Sequence, residues 1–457
     1  MFKRKVYQQL KYWKENLAPG YACLLEGARR VGKTTIAEEF AKNEYETYIL
    51  IDFADITPAL LDVFRDISNR DLFFLKLQTE TGIQLIERKS VIIFDEIQFF
   101  PKARQAIKYL VKDGRYDYIE TGSLISIKKN VKDILIPSEE HRIKVYPMDY
   151  EEFLWATGYS SEVLRAGYRS KAAMGNSLNA KLMRDFRIYM AVGGMPQAVE
   201  RYIETNNLEK TDEVKREILA LYSDDLKKID PSGRLSDIYL SVPAQLSLKK
   251  KRFVISKATG KRKTLKDEER LFDLIDSGLV LPCYNVAAPS LKLSAERKAD
   301  DYKLYLSDIG LYISLVFRSD ADIYRKLLSD KLPANLGYLY ENAVAQALAS
   351  SGRKLYFHSW RKADSTHSYE IDFLLSSSFK IIPLEVKSSS VRNHESITAF
   401  CEKYSSIVGR RIIFSQKDRG KDGPIELLPI YMVPFFLEEI WVNHFSCGIE
   451  ESSPEKK

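Results

Sequence analysis

Cysteine is scarce in this 457-residue chain, and its four copies (Cys23, Cys283, Cys401 and Cys447) lie far apart with no C-x-x-C pair. That spacing excludes a disulfide framework and a thiolate zinc site, so the thiols read as reduced ones in a cytoplasmic protein. Histidine is equally scattered, at five residues. No apolar run reaches the ~18 residues a membrane span needs, so no membrane partner is expected. The basic start, MFKRKVYQQLKYWKEN, lacks the apolar core of a signal peptide and reads as a short amphipathic helix over 1–18. Internal repeats and low-complexity tracts are missing; only the tail 450–457 has the composition of a disordered end. What remains is ordinary globular material, 45% hydrophobic and 29% charged, long enough for several cored domains. The net charge of +7 is modest, so its placement matters more than its sum.

The most informative stretch is Tyr21 to Asn43. Gly27-Ala28-Arg29-Arg30-Val31-Gly32-Lys33-Thr34 fits G-x-x-x-x-G-K-[ST], a phosphate-cradling loop, with Thr35 following. The apolar run Ala22–Leu25 predicts a buried parallel strand entering the loop. Ile36, Ala37, Phe40 and Ala41 stripe a helix leaving it. Gly27 and Gly32 let the backbone curl, and the helix points its positive end at the phosphates. Lys33 is then expected to reach the β/γ-phosphates of ATP and Thr34 to bind Mg²⁺.

Further strand-like runs, Thr47–Phe53, Ser90–Phe94, Tyr116–Glu120 and Arg142–Tyr146, separated by helical or irregular segments, predict a parallel α/β sheet over 19–156. Val91-Ile92-Ile93-Phe94-Asp95-Glu96 closes four apolar residues on two acids, a Walker B pattern. Asp95 is the expected Mg²⁺ holder at the strand's carboxyl end, and Glu96 the general base for the attacking water. Thr121-Gly122-Ser123 reaches the same sheet edge, where Thr121 can sense the γ-phosphate. The arginine that neutralises transition-state charge is not identifiable; Arg142 is one candidate, and a solvated arginine is the blander reading. Arg29 and Arg30 sit within the loop itself.

Apolar spacing such as Leu182, Phe186, Tyr189 and Met190 makes 157–240 mainly helical, broken by Gly193-Gly194-Met195-Pro196, read as a tight interhelical turn. In 241–320, Lys249–Lys266 holds nine basic residues and no acid; a helix (Asp267–Ser277) and a short strand (Leu279–Cys283) follow. The order suggests a winged-helix module whose basic face contacts DNA, against the plainer alternative of a solvated charge run. In 330–440, Tyr369–Leu375 and Lys380–Lys387 read as a β-hairpin. Alternation puts Glu370 and Asp372 on one face, Glu385 and Lys387 on another, and Ile371, Phe373, Leu384 and Val386 opposite. Charges set into such apolar strands are costly unless paired or metal-bound.

In these residues the chain resembles a family of prokaryotic AAA-superfamily ATPases that carry a C-terminal domain of unknown function. The likeness rests on GARRVGKTT, VIIFDEIQ, the TGS turn, Pro147–Leu154 (PMDYEEFL), Gly193–Pro196, Tyr305–Leu311 (YLSDIGL) and Tyr340-Glu341-Asn342, and so spans nearly the whole sequence. His141-Arg142 departs from the family's usual Gly-Arg and leaves that arginine's role open. The resemblance supports the winged-helix reading and implies a PD-(D/E)xK nuclease-like domain at the C-terminus. Carried over by position, Asp372 and Glu385 would bind a second Mg²⁺ or Mn²⁺, Lys387 would orient the attacking water, and Glu341 would supply the helix-borne acid. Ile371 stands where the motif's proline is usual. The expected architecture is thus an α/β protein: an AAA-type P-loop sheet, a helical and winged-helix-like middle, and a restriction-endonuclease-like domain. The expected function is an ATPase whose last domain binds or cuts DNA under nucleotide control. The alternative is a nucleotide-dependent switch or scaffold whose nuclease-like domain does not cut. Such ATPases often assemble as rings with nucleotide between subunits, which makes a homo-oligomer part of the expectation.

Overall fold

The computed structural model describes residues 1–123, 137–248, 251–317, 322–330, 337–362, 367–377, 379–388 and 394–446. Lys249 and Lys250 of the basic stretch, Cys447 and the tail 450–457 lie outside the described residues. The chain divides into two compact units, Met1–Tyr146 with Asp276–Gly278, and Pro147–Ile275 with Leu279–Lys457.

The first unit is built on a parallel sheet of β1 (Ala22–Gly27), β2 (Thr47–Asp52), β3 (Ser90–Asp95), β4 (Asp117–Ser123) and β5 (Glu140–Lys144), in the order β2-β3-β4-β1-β5. β1 and β3 are buried along their whole length, as continuous apolar runs require when both sheet faces are covered. The helix Lys33–Glu44 buries Ile36, Ala37, Phe40 and Ala41, the predicted stripe. The helix Pro101–Asp113 starts on a proline, buries Ala103, Ala106, Ile107, Leu110 and Val111, and stops at Gly114 with φ 78°. Because β4 lies between β1 and β3, the carboxyl ends of these three strands open side by side. The loop after β1, the acids after β3 and the threonine near the end of β4 therefore share one edge. At the start of the edge strand β5, Arg104 grips Glu140 through two 2.7 Å contacts, both side chains buried.

The second unit begins with helices Tyr150–Ala156, Glu162–Arg169, Asn176–Val192, Pro196–Thr205, Leu208–Ile229 and Arg234–Leu246. Pro147–Leu154 folds with this unit, ahead of the expected boundary at residue 156. Short helices Ile255–Thr259 and Leu265–Asp276 follow, then the antiparallel pair β6 (Val280–Val286) and β7 (Arg297–Leu306). After the helix Gly337–Ser350 come β8 (Leu355–Arg361), β9 (Ser368–Ile371), β10 (Phe373–Ser377) and β11 (Lys380–Lys387). The helix Glu395–Lys403, β12 (Ile412–Ser415), β13 (Gly420–Asp422), β14 (Ile425–Pro429) and the helix Val433–Ser446 complete the chain. The sheets run β7-β6-β8-β9 and β10-β11-β12-β14-β13. β9 and β10 are one stretch of chain interrupted at Asp372. The predicted hairpin is present: Phe373 faces Leu384 and Leu375 faces Ile382 in an antiparallel ladder.

Gly193–Pro196 forms a close packing point as well as an interhelical turn. A Cβ on Gly310 would lie 2.4 Å from Val192 O and 2.5 Å from Gly193 Cα; one on Gly194 would lie 2.1 Å from Met148 O. Only glycine permits backbones to approach so nearly. Gly310→Ala is expected to destabilise the second unit by about 1–3 kcal/mol through overpacking. Gly420→Ala, whose Cβ meets only Leu427 Cδ1 at 3.9 Å, should change stability far less. Urea midpoints compare them, and equal midpoints would refute the constraint.

Candidate functional site

At the first sheet edge, Arg30 (φ 69°) and Gly32 (φ 93°) curl the loop back on itself, and the helix then starts at Lys33. Gly27 admits no side chain, since a Cβ would stand 2.3 Å from Val145 O. Lys33 is 6% exposed, and its ammonium donates to Gly27 O (3.2 Å) and Ala28 O (2.9 Å). Burial depresses its pKa to about 8, against the opposing pull of Glu96 and Asp95. Thr34 Oγ1 donates to Asp95 Oδ1 at 2.8 Å, and Thr121 Oγ1 donates to the same oxygen. Thr121 also accepts from Glu96 N at 3.3 Å, tying the ends of β3 and β4 together. Burial raises the pKa of Asp95, and the two hydroxyls partly offset it.

Glu96 takes a left-handed backbone, φ 50° and ψ 46°, a sparsely populated conformation for a non-glycine residue. Its carboxylate accepts from Gln98 Nε2. Val31 and Ala28 are buried, whereas Arg29, Arg30 and Thr35 are exposed. Arg142 is 45% exposed and lies 3.5 Å from Glu140. Two residues escaped the sequence reading. Gln98 holds Glu96, and Arg4 donates to Val31 O (3.0 Å) and Tyr146 O (2.6 Å), pinning the loop from the N-terminal segment. A glutamine two residues past the acids was at least a positional signal; nothing in the pattern marked Arg4.

The donor set fits a Mg²⁺–nucleoside triphosphate. It offers an ammonium held by carbonyls alone, a hydroxyl beside a carboxylate, and a helix start whose first turn carries no acid and no side-chain cap among the described residues.

The second cluster gathers on the hairpin and the helix Gly337–Ser350. Asp372, half-buried, accepts from Val386 N through Oδ2 at 2.9 Å. Its crowded surroundings and the charge of Glu341 push its pKa up to about 6. Glu385 is 1% exposed; Lys387 Nζ stands 2.7 Å from Oε2, while Oε1 is buried without a hydrogen-bonding partner among the described residues. Glu341 is buried with both oxygens engaged. Oε1 takes Lys303 Nζ (3.1 Å) and Tyr305 OH, and Oε2 takes Lys251 Nζ. Burial opposes its ionisation, but Lys251 and Lys303 more than offset this and bring its pKa down to about 2. Lys303, fully buried, also reaches Glu370 Oε1 at 2.7 Å.

All four expected residues thus come together, joined by three that the sequence reading missed: Lys251, Lys303 and Tyr305. The missed signal was a lysine set between tyrosines and leucines in β7. Among the described residues no three histidine, cysteine or carboxylate side chains converge as metal ligands do. A divalent cation fits the chemistry of Asp372 and of the orphaned Glu385 oxygen, but Glu341 is already occupied by lysine.

Residues 20–154 match the model of the AAA domain, while 183–322 and 336–432 match two domains of unknown function, DUF8612 and DUF4143. Solved structures with similarity include a Walker-type ATPase of Pyrococcus abyssi, 17% identical, with a TM-score of 0.43 and coverage of 69% of this chain and 96% of that one. A STAND signal-transduction ATPase with a tetratricopeptide-repeat sensor from Pyrococcus horikoshii is 14% identical, with a TM-score of 0.28 and coverage of 77% and 48%. Cdc6p from Pyrobaculum aerophilum is 12% identical, with a TM-score of 0.24 and coverage of 72% and 94%. No match was found among curated proteins. The family match and the loop, strand order and acids just described define an AAA-type P-loop ATPase domain. The chain is an ATPase.

Two outcomes are expected of this site. Lys33→Ala should abolish ATP turnover, and persistence of turnover would sink the assignment. A lysine must be charged to hold phosphate, so with burial lowering the pKa of Lys33 to about 8, a phosphate-holding role predicts ATP affinity that is flat below about pH 7.5 and falls as pH rises through 8 to 9. Fluorescent-nucleotide titration across that range reads it; a flat profile would refute the depressed lysine.

Proposed function

We propose that ATP hydrolysis in the first unit controls a C-terminal nuclease-like domain that engages the DNA backbone, with Asp372, Glu385 and Lys387 as its cleaving set. In the ATP site, Lys33 holds the β/γ-phosphates, Thr34 and Asp95 hold Mg²⁺, Glu96 polarises water, and Thr121 senses the γ-phosphate. The metal would supply charge neutralisation between the phosphates. Arg142, turned toward Glu140, is poorly placed as a finger, which favours an arginine from a neighbouring copy in a homo-oligomer.

The observation that carries the second half is topological. A helix bearing Glu341, the antiparallel run β8-β9/β10-β11, a helix, and then β12 parallel to β11 follow in the order a PD-(D/E)xK core requires. Asp372 marks the break between β9 and β10, and Glu385 and Lys387 stand two residues apart on the pairing strand. Ahead of this, three helices and the β6–β7 pair follow the winged-helix order. Lys257, Lys261, Arg262 and Lys266 are exposed there to meet phosphates.

A specific observation favours the alternative, a switch with a non-cutting domain: lysines already pair with Glu341 and Glu385. Plasmid DNA incubated with the full chain and Mg²⁺ or Mn²⁺, with and without ATP, separates the two. Cleavage lost in both Asp372→Ala and Lys387→Ala is expected. No cleavage by protein that turns over ATP would establish the non-cutting switch.

A further inference from the structure

The second cluster contains four acids, Glu341, Glu370, Asp372 and Glu385, and three lysines, Lys251, Lys303 and Lys387. Two of the lysines are fixtures. Lys303 is fully buried on β7 between Glu341 and Glu370, and Lys387 shares β11 with its partner Glu385. Lys251 differs in where it comes from: it reaches Glu341 from a segment 90 residues away in sequence, and its side chain, like that of Lys387, remains partly exposed. It lies just before the point where its segment is anchored. Arg252 pairs with Asp301 at 3.1 Å, Phe253 N donates to Tyr302 O at 2.9 Å, and the buried Phe253 ring stacks on Tyr302. The ammonium of Lys251 can therefore leave without unthreading the chain behind it.

Removing Lys251 leaves four acids facing two lysines, an imbalance of two negative charges and the amount one divalent cation neutralises. Glu341 Oε2 would be released, while the buried Oε1 of Glu385 already lacks a hydrogen-bonding partner among the described residues. A hard divalent cation prefers such carboxylate oxygens. The segment that carries Lys251 continues into the exposed cations Lys257, Lys261, Arg262 and Lys266. A phosphate backbone drawn to those residues competes with Glu341 for Lys251.

We propose that Lys251 is the resident cation of the second cluster: it competes with a divalent ion for Glu341, and binding of the basic segment to a phosphate backbone opens the cluster to metal. This rests on the reading of the cluster as a cation-dependent site. Lys251 acts here as a positioning residue that governs occupancy.

Mn²⁺ binding to the full chain without nucleotide, followed by calorimetry and by electron paramagnetic resonance of free Mn²⁺, tests the proposal apart from any cleavage. Lys251→Met, which keeps the apolar stem, should raise Mn²⁺ affinity at least tenfold, and Asp372→Asn should remove that gain. Lys251→Arg, which keeps the charge, should resemble the parent; Lys251→Gln serves should the Met variant fail to fold. A duplex oligonucleotide should raise the affinity of the parent and leave that of Lys251→Met unchanged. Equal affinities for parent and Lys251→Met, at a site that Asp372→Asn abolishes, would overturn the competition while leaving the cation site standing. Mn²⁺ uptake insensitive to Asp372→Asn in every variant would overturn both.

Discussion

In the second unit the buried carboxylate of Asp308 ties the start of its own helix to a turn 114 residues away in sequence. One oxygen accepts from Leu311 N at 2.8 Å and caps the helix Ile309–Val316; the other accepts from Gly194 N at 2.6 Å. Gly194 O in turn accepts from Met148 N at 2.7 Å, and Gln346 bridges Met148 O and Ile309 N. Burial raises the pKa of Asp308, and the backbone N–H groups pull it back by stabilising the anion. Buried polar groups of this kind must be satisfied in full, because an unsatisfied one costs about 1–3 kcal/mol. Gln346 lies on the same helix as Glu341, so the contacts that organise the turn also set the helix that delivers the acid.

Much of this was legible. The sequence motifs Pro147–Leu154, Gly193–Pro196, Tyr305–Leu311 and Tyr340-Glu341-Asn342 are the pieces of that one junction: Asn342 pairs with both backbone groups of Leu306, and Gly193 touches Gly310. The ATP site was legible because loop, helix and acids each carry a local pattern, and the alternation of the hairpin strands showed which charges stand on an apolar surface. Arg4, Lys251 and Lys303 were not legible in the same way. Their partners come from segments distant in sequence, and no period or spacing links them. In sequence the basic run from Lys249 reads as one solvated or DNA-facing surface, yet Lys251 turns into the acids while Lys257, Lys261, Arg262 and Lys266 face outward.

The two sites also show different ways of holding charge. At the ATP site, Asp95 is held by hydroxyls from two elements, so its anion is steadied by neutral donors and stays available to a cation. At the second cluster Glu341, Glu370 and Glu385 are met by full positive charges, which steady the fold but compete with any incoming ion. This contrast explains why one site reads directly as a metal–phosphate site and the other as a balanced network.

Lys303 also bears on how the C-terminal part can be isolated. A fragment beginning near residue 330 would hold the helix, the hairpin and β12, and would look like a self-sufficient domain. It would lack Lys251, Lys303 and Tyr305, so Glu341 would stand buried with no counter-charge, a loss of about 3–5 kcal/mol. It would also strip β6 from β8 and leave an unpaired sheet edge open to other chains. The boundary drawn by sequence motifs is therefore not a boundary at which the polypeptide can be divided: the smallest piece able to fold around this cluster has to begin before the basic segment.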